Sequence, residues 1–336
     1  MVMLLISFLM SLLIVRLIKV LCIKVRVFDV PNGRSSHKEP TALMGGIGFV
    51  LSFLFTLTFF PFFLFNNIQL NIFLMSLGLI SLIGLLDDLK GIKARLRLFI
   101  QIFAALGVTF SGIQLSTLQF PGWEINLSFL SVFLSVFFLV STINIFNFMD
   151  GIDGYAGGVS LIGSLSLAWL GYIHNDPSFM MLMLLTAAVV SGFLVWNLPK
   201  ASIFMGDVGS TFLGLLLGAS SIYVSQFFMG ISIVVPIIIF SVFLMDASVT
   251  MTGRLCRGQK FWQAHRSHFY QKLHQTGWSH TQVILLEFSH MAILCGIALN
   301  YSTVSNLLQL AFLASVFLSF VAKFSWVQFR FKKILK

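Results

Sequence analysis

Residues 178–228 read SFMMLMLLTAAVVSGFLVWNLPKASIFMGDVGSTFLGLLLGASSIYVSQFF. Two apolar runs, about 178–196 and 210–228, are each long enough to cross the hydrocarbon of a bilayer as a helix. A short polar segment holding Asn197, Lys200 and Asp207 separates them. The same alternation fills the chain. Apolar stretches at about 2–22, 45–65, 69–86, 97–117, 125–143, 156–173, 178–196, 210–228, 231–250, 282–301 and 304–324 predict eleven spans by the length rule. Of the 336 residues 58% are hydrophobic, 38 are Phe and only 10% are charged. Mean hydropathy is +0.97. No soluble interior hides so much apolar surface, so the expected fold class is an all-α polytopic membrane protein, read as one transmembrane domain over 1–336.

The bases set the orientation. Lys24, Arg26, Arg34 and Lys38 follow the first span, and Lys90, Lys93, Arg95 and Arg97 the third. Lys200 follows the seventh; Arg254, Arg257, Lys260, Arg266 and Lys272 follow the ninth; Lys332, Lys333 and Lys336 end the chain. With eleven spans all of them fall on one side, which the positive-inside rule makes cytoplasmic, with the N-terminus outside and the C-terminus inside. Topology accounts for the net charge of +10, and nucleic acid is not expected as a partner. The first apolar segment lacks a basic leader and a small-residue cleavage site, and is read as a retained span. Cys22, Cys256 and Cys295 show no metal spacing and no pairing pattern.

Eleven carboxylates serve the whole chain, and five stand in three polar interruptions on the cytoplasmic side: Asp87-Asp88, Asp150 with Asp153, and Asp207. An acid near a bilayer is costly unless it binds a cation, pairs or does chemistry. Adjacent acids such as Asp87 and Asp88 repel unless a cation or proton lies between them, and Mg²⁺ sites use one or two carboxylates plus phosphate oxygens. A solvated helix end would look similar. In Asn144-Ile-Phe-Asn147-Phe-Met-Asp150-Gly-Ile-Asp153-Gly154 polar residues recur every three positions. Asn147 and Asp150 then share a helix face, while Asn144 and Asp153 converge only if Gly151 and Gly154 bend the chain. Gly206-Asp207-Val-Gly-Ser210 opens a helix and offers an acid for a metal and free N–H groups for an anion. Phe204 beside it is either a base-stacking platform or an interfacial anchor. In the long loop 251–281, His265-Arg266-Ser-His268 supplies bases and imidazoles suited to a diphosphate, since phosphoryl transfer is mostly positioning and charge neutralisation. Zinc lacks further ligands there, and His290 within a span reads as a packing residue. Arg34 and His37, in the turn-rich loop before Gly45-Gly46, would cradle an anion or simply connect two spans.

Together these segments resemble, in order and spacing, the polyprenyl-phosphate N-acetylhexosamine-1-phosphate transferases, the MraY/WecA-like superfamily. The motifs are the Arg34 to Gly46 loop, Asp87-Asp88, Asn-x-x-Asn-Phe-Met-Asp-Gly-Ile-Asp-Gly at 144–154 and Asn-x-Pro-x-Ala-x-x-Phe-Met-Gly-Asp-x-Gly-Ser at 197–210. The resemblance covers nearly the whole chain through five loops, about 23–44, 87–96, 144–155, 197–209 and 251–281. It implies transfer of a sugar-1-phosphate from a UDP-N-acetylhexosamine to undecaprenyl phosphate with release of UMP, on the cytoplasmic face of a bacterial inner membrane. It further implies Mg²⁺, with Mn²⁺ as a substitute, membrane lipid as surroundings, and leaves a homodimer open. By that likeness Asp207, with Asp150, would hold the metal. Asp87, Asp88, Asp150, Asp153 and His268 would be catalytic. Arg34, His37, Asn144, Asn147, Asn197, Phe204, His265 and Arg266 would bind substrates, Phe204 stacking on uracil.

Two departures bear on the donor. Leu89-Lys90-Gly91 after the acid pair lacks a third acid that many relatives carry. His268-Phe-Tyr-Gln271 replaces the His-x-His-His of the N-acetylglucosamine enzymes. That form is similar to the subgroup that initiates O-antigen synthesis, often with 6-deoxy sugars such as QuiNAc or FucNAc. N-acetylglucosamine and muramoyl-pentapeptide donors are the alternatives within the family. A secondary transporter is the remote one, disfavoured because no internal repeat is evident and the acids crowd one interface. The Asp-Gly-x-x-Ala-Arg motif of CDP-alcohol phosphotransferases is missing.

Overall fold

The computed structural model describes residues 1–31, 39–59, 67–260 and 265–334. Among them the chain forms α1 (Val2–Val25), β1 (Phe28–Asp29), β2 (Thr41–Ala42), α2 (Gly46–Phe59), α3 (Asn67–Lys90), α4 (Ala94–Phe110), β3 (Thr117–Phe120), β4 (Trp123–Asn126), α5 (Leu130–Met149), α6 (Tyr155–Ile173), α7 (Pro177–Asn197), α8 (Asp207–Phe227), α9 (Val234–Ile239), α10 (Ser241–Leu255), α11 (Phe269–Gln275), α12 (His280–Tyr301) and α13 (Asn306–Ile334). Eight of these helices are long and apolar enough to cross a membrane, namely α1, α3, α5, α6, α7, α8, α12 and α13. The protein is a helical polytopic membrane protein.

Helix α8 is the axis of the bundle, and every residue from Val208 to Val224 is buried. Small side chains make this possible. A Cβ on Gly214 would meet the Ile143 Cα of α5 at 2.7 Å, and one on Gly84 of α3 would meet the Asp207 carbonyl oxygen at 2.6 Å. Close backbone approach of this kind is how membrane helices gain packing where lipid gives no hydrophobic drive. Around the axis, Phe53 of α2 meets Phe212 edge-on at 5.2 Å. The outermost helices α1 and α13 instead expose Leu5, Leu9, Leu13, Leu17, Leu310 and Phe317, the apolar rim expected against acyl chains.

Three spans differ from their hydropathy reading. The expected run 97–117 ends as α4 at Phe110, where Gly112 turns with φ +97°, and an antiparallel hairpin follows, pairing Thr117 with Asn126 and Phe120 with Trp123. Pro121-Gly122 makes its turn, with Gly122 at φ +84°. An averaged hydropathy hides such short alternating strands. The expected run 125–143 becomes α5, Leu130–Met149, so Asn144 and Asn147 lie in its last turns and not in a loop. The run 231–250 is broken at Phe240 into α9 and α10. Asp87 and Asp88 also sit on a helix, in the last turn of α3.

Helix ends carry conventional signals. Asp176 caps α7, accepting from Phe179 N at 2.9 Å ahead of Pro177, and Ser279 with Gln282 forms a capping box on α12.

Candidate active site

The C-terminal ends of α3 and α5 meet the N-terminal ends of α4 and α8. Asp88 accepts from the backbone of Asp207 (Oδ1, 2.9 Å) and Val208 (Oδ2, 3.2 Å), so a carboxylate from α3 caps α8 from outside its own chain segment. The four unpaired N–H groups and the positive dipole end of a helix favour such an anion. Gly206, at φ +76°, lets the chain enter α8 beside it; a Cβ there would lie 2.5 Å from Asp88 Oδ2.

Asp87 turns the other way. Its Oδ1 accepts from Ile92 N, and its Oδ2 pairs with the Arg97 guanidinium of α4. The same Arg97 Nη1 reaches Asp207 Oδ2 at 3.3 Å. Asp207 Oδ1 accepts from Asn147 Nδ2 at 2.8 Å, and Asn147 also donates to Ser210 Oγ at 3.1 Å. One cationic group therefore bridges carboxylates of α3 and α8, with an amide of α5 completing the cluster. Asn144, one turn earlier, donates to Gln101 Oε1 of α4 at 2.8 Å.

Helix α5 stops at Met149, and the chain turns through Asp150–Gly154, with Gly154 at φ +72°. Half-buried Asp150 has its carboxyl pushed up to about 7 by desolvation, reinforced by the charges of Asp207 and Asp153. Asp153 faces the protein: Oδ2 accepts from Ala201 N at 3.0 Å and Oδ1 lies 3.2 Å from His280 Nδ1. Asn197 is buried, accepting from Gly154 N at 3.0 Å and donating to the Ile203 carbonyl at 2.9 Å. These two side chains pin the 197–206 loop to the 150–154 turn. The loop is held from its other side by Phe204 N to Ala42 O and Gly45 N to Phe204 O, both 2.8 Å, which place Phe204 next to the chain leading into α2.

In the long loop, His268 is buried with Nδ1 3.1 Å from Asp246 Oδ1. The His265 ring lies 4.9 Å from that of His268, and its Nδ1 is 2.9 Å from Ser267 Oγ. Desolvation, aided by the charges of His268 and Arg254, pushes His265 down to about 4, so it is neutral at pH 7. Arg266 lies between them, its carbonyl accepting from Gln275 at 2.9 Å. The loop is docked on the site by Tyr270, whose hydroxyl donates to Phe148 O at 3.4 Å. Arg34 and His37 lie outside the described residues.

Sequence reasoning missed Arg97, Gln101, Asp246 and His280. In the sequence Arg97 reads only as a topological charge. Asp246, 2% exposed within an apolar run, carries the same cost as the acids that were singled out, and that cost is the signal that would have found it. Outside the site, His290 packs as expected, with Nε2 3.0 Å from Ser319 Oγ and its ring against Phe320.

Residues 70–225, which carry Asp87, Asp88, Asn147, Asp150 and Asp207, match the model described as Glycosyl transferase family 4. Over that segment, just under half of its length, the chain is similar to that family. Similar proteins include one of Bacillus subtilis (strain 168) named "Probable undecaprenyl-phosphate N-acetylglucosaminyl 1-phosphate transferase", 27% identical over 95% of this chain and 90% of its own length. The undecaprenyl-phosphate alpha-N-acetylglucosaminyl 1-phosphate transferase of Escherichia coli (strain K12) is 29% identical over 93% of this chain and 88% of its own. Its namesake in Yersinia pestis is 28% identical over 98% and 93%.

The cluster also bears on a metal. Among the described residues no three His, Cys, Asp or Glu side chains converge as a cage. Mg²⁺ does not require one: it takes one or two carboxylates and completes its shell with water and phosphate oxygens. Asp87 and Asp207 already converge on a cationic group, so this donor set fits that chemistry.

Proposed function

We propose that this protein is a family 4 glycosyl transferase that moves a sugar-1-phosphate from a UDP-N-acetylhexosamine to undecaprenyl phosphate, releasing UMP. The observation that carries the reading is the convergence of Asp87, Asp207, Arg97 and Asn147 at the mouth of α8, and the names of the similar proteins supply the acceptor and the transferred group. A phosphate oxygen of the lipid forms a bond to the β-phosphorus of the donor, and the bond from that phosphorus to the bridging oxygen breaks, leaving UMP. Two anions must meet, so positive charge is required at the meeting point.

The residues divide this work. Arg97 supplies a fixed cation beside the reacting phosphates. Asp87 lies where it would orient the acceptor phosphate and take its remaining proton, and Asp88 holds Asp207 in place through the backbone of α8. Asp207, with Asp150 near enough to feel its charge, would hold Mg²⁺, and a bound Mg²⁺ would offset diphosphate charge and favour departure of UMP. Phe204 would stack on the uracil, and the His265–His268 loop would contact the diphosphate. The two residues Asp153 and Asn197 support the turn that carries Asp150.

The proposed topology is eleven passes, with α2, α4 and the α9–α10 pair adding to the eight long helices, the N-terminus outside and the site on the cytoplasmic face of a bacterial inner membrane. The His268-Phe-Tyr-Gln form favours a 6-deoxy-N-acetylhexosamine donor and a place at the start of O-antigen synthesis. Purified protein with Mg²⁺, undecaprenyl phosphate and a panel of UDP-sugars should release UMP with at least one N-acetylhexosamine donor. No UMP from any donor, with solute accumulated in proteoliposomes instead, would establish a carrier.

A further inference from the structure

Asp246 is a buried acid that the proposed chemistry does not use. It sits within α10 beside buried Val242, Phe243 and Ala247. Burying a carboxylate costs several kcal/mol unless donors surround it. Four do. Oδ1 accepts from Thr250 Oγ1 (3.1 Å), His268 Nδ1 (3.1 Å) and Phe269 N (3.0 Å), and Oδ2 from Tyr270 N (3.1 Å).

The backbone bonds alone do not call for an acid, since a seven-residue helix such as α11 is capped as well by Ser, Thr or Asn. What those caps lack is a negative charge beside the imidazole. An oxygen already receiving two other donors accepts from Nδ1–H, so it fixes which nitrogen faces Asp246 and aims Nε2 away from it. The ring plane is fixed too, lying 4.9 Å from the His265 ring and 5.8 Å from Tyr270 in a near-parallel stack. Tyr270 reaches the Phe148 carbonyl and packs against Gly151, where an added Cβ would lie 3.3 Å from the neighbouring Gln271 Nε2. The imidazole is thereby tied to the turn that bears Asp150.

We infer that Asp246 is a positioning residue for the donor diphosphate: it holds His268 by Nδ1 and supplies the counter-charge that lets Nε2 meet the phosphates as a hydrogen-bond donor. This rests on the transferase reading above. Asp246→Asn keeps an oxygen for the three Oδ1 bonds and removes the charge. It should melt somewhat below the parent, because Tyr270 N loses its acceptor, and raise donor KM about ten-fold, the worth of one charge-assisted hydrogen bond, with acceptor KM unchanged. Combined with His268→Gln, it should add nothing further to donor KM, because the two changes remove one interaction.

The parent protein and the variants are compared in steady-state transfer assays and in thermal melts with and without UDP. UDP should raise the parent's melting temperature, and that rise should shrink in Asp246→Asn. Effects that multiply in the double variant, donor and acceptor KM rising together, or an unchanged response to UDP would reduce Asp246 to a helix cap. A parent that neither releases UMP nor responds to UDP would remove the transferase reading itself, and the inference with it.

Discussion

Replacing Asp88 should injure both stability and catalysis, whereas replacing its neighbour Asp87 should injure mainly catalysis. Asp88 receives two backbone N–H groups at the start of α8, at 2.9 and 3.2 Å. A hydrogen bond to a charged group contributes roughly 1.5–3 kcal/mol, so the pair sets an upper bound of about 3–6 kcal/mol. Asp88 is half-buried, and water reaching the freed N–H groups reduces the expected loss in Asp88→Ala to about 2–3 kcal/mol. Asp88→Asn, which keeps one acceptor, should lose about half of that. The same bonds fix the backbone from which Asp207 projects. A displacement of about 1 Å at such a group costs on the order of 100-fold in rate. Asp87 meets Ile92 N, Arg97 and the Asp207 side chain but caps no backbone N–H of α8, so Asp87→Ala should abolish UMP release while melting nearer the parent. Thermal melts in detergent and initial rates of UMP release on the three variants decide the matter. If Asp88→Ala melts like the parent, or Asp87→Ala is the more destabilised, the assignment of Asp88 to the helix cap is wrong.

Other outcomes follow from the same geometry. Asp207→Asn should lower UMP release at least about 1,000-fold without unfolding the protein, and chelation of divalent cations should do the same reversibly, with Mg²⁺ restoring the rate; normal turnover in chelator would exclude the metal. Asp150, with its carboxyl raised from 3.8 to about 7, keeps in the folded state a proton that the unfolded chain gives up. Its contribution is therefore neutral at low pH and turns destabilising as pH rises from 3.8 to about 7, so melts without divalent cation should weaken over that window and Asp150→Asn should flatten the profile. Phe204→Leu should raise donor KM roughly ten-fold with kcat retained, since base stacking on an aromatic is worth about 1–3 kcal/mol; an equal rise in acceptor KM would place Phe204 against the lipid instead.

The membrane class was legible because lipid imposes length and apolarity on every crossing helix, and 178–196 and 210–228 agree closely with α7 and α8. Hydropathy was weaker where the chain leaves that regime, as in the β3–β4 hairpin and the break at Phe240, since an average over many residues erases a two-residue turn. Of the acids and asparagines in the motifs, the structure brings Asn147 and the Asp87-Asp88 pair next to Asp207. The motifs placed Asn197 and Asp153 among the chemistry, and their hydrogen bonds run to loop backbone and to His280.

The sequence by itself determined that the chain lies in a membrane and that five of its eleven acids stand in three polar interruptions between apolar runs. Only the tertiary structure separated Asp87 from Asp88, drew Arg97 between two carboxylates and set Asp246 behind His268. Consecutive residues on a helix point about 100° apart, so adjacency in sequence guarantees divergence in space, and the partner each one meets depends on which helix packs there. Glycines at 84 and 206 permit α8 to come within reach of Asp88, and that approach is a property of two helices together.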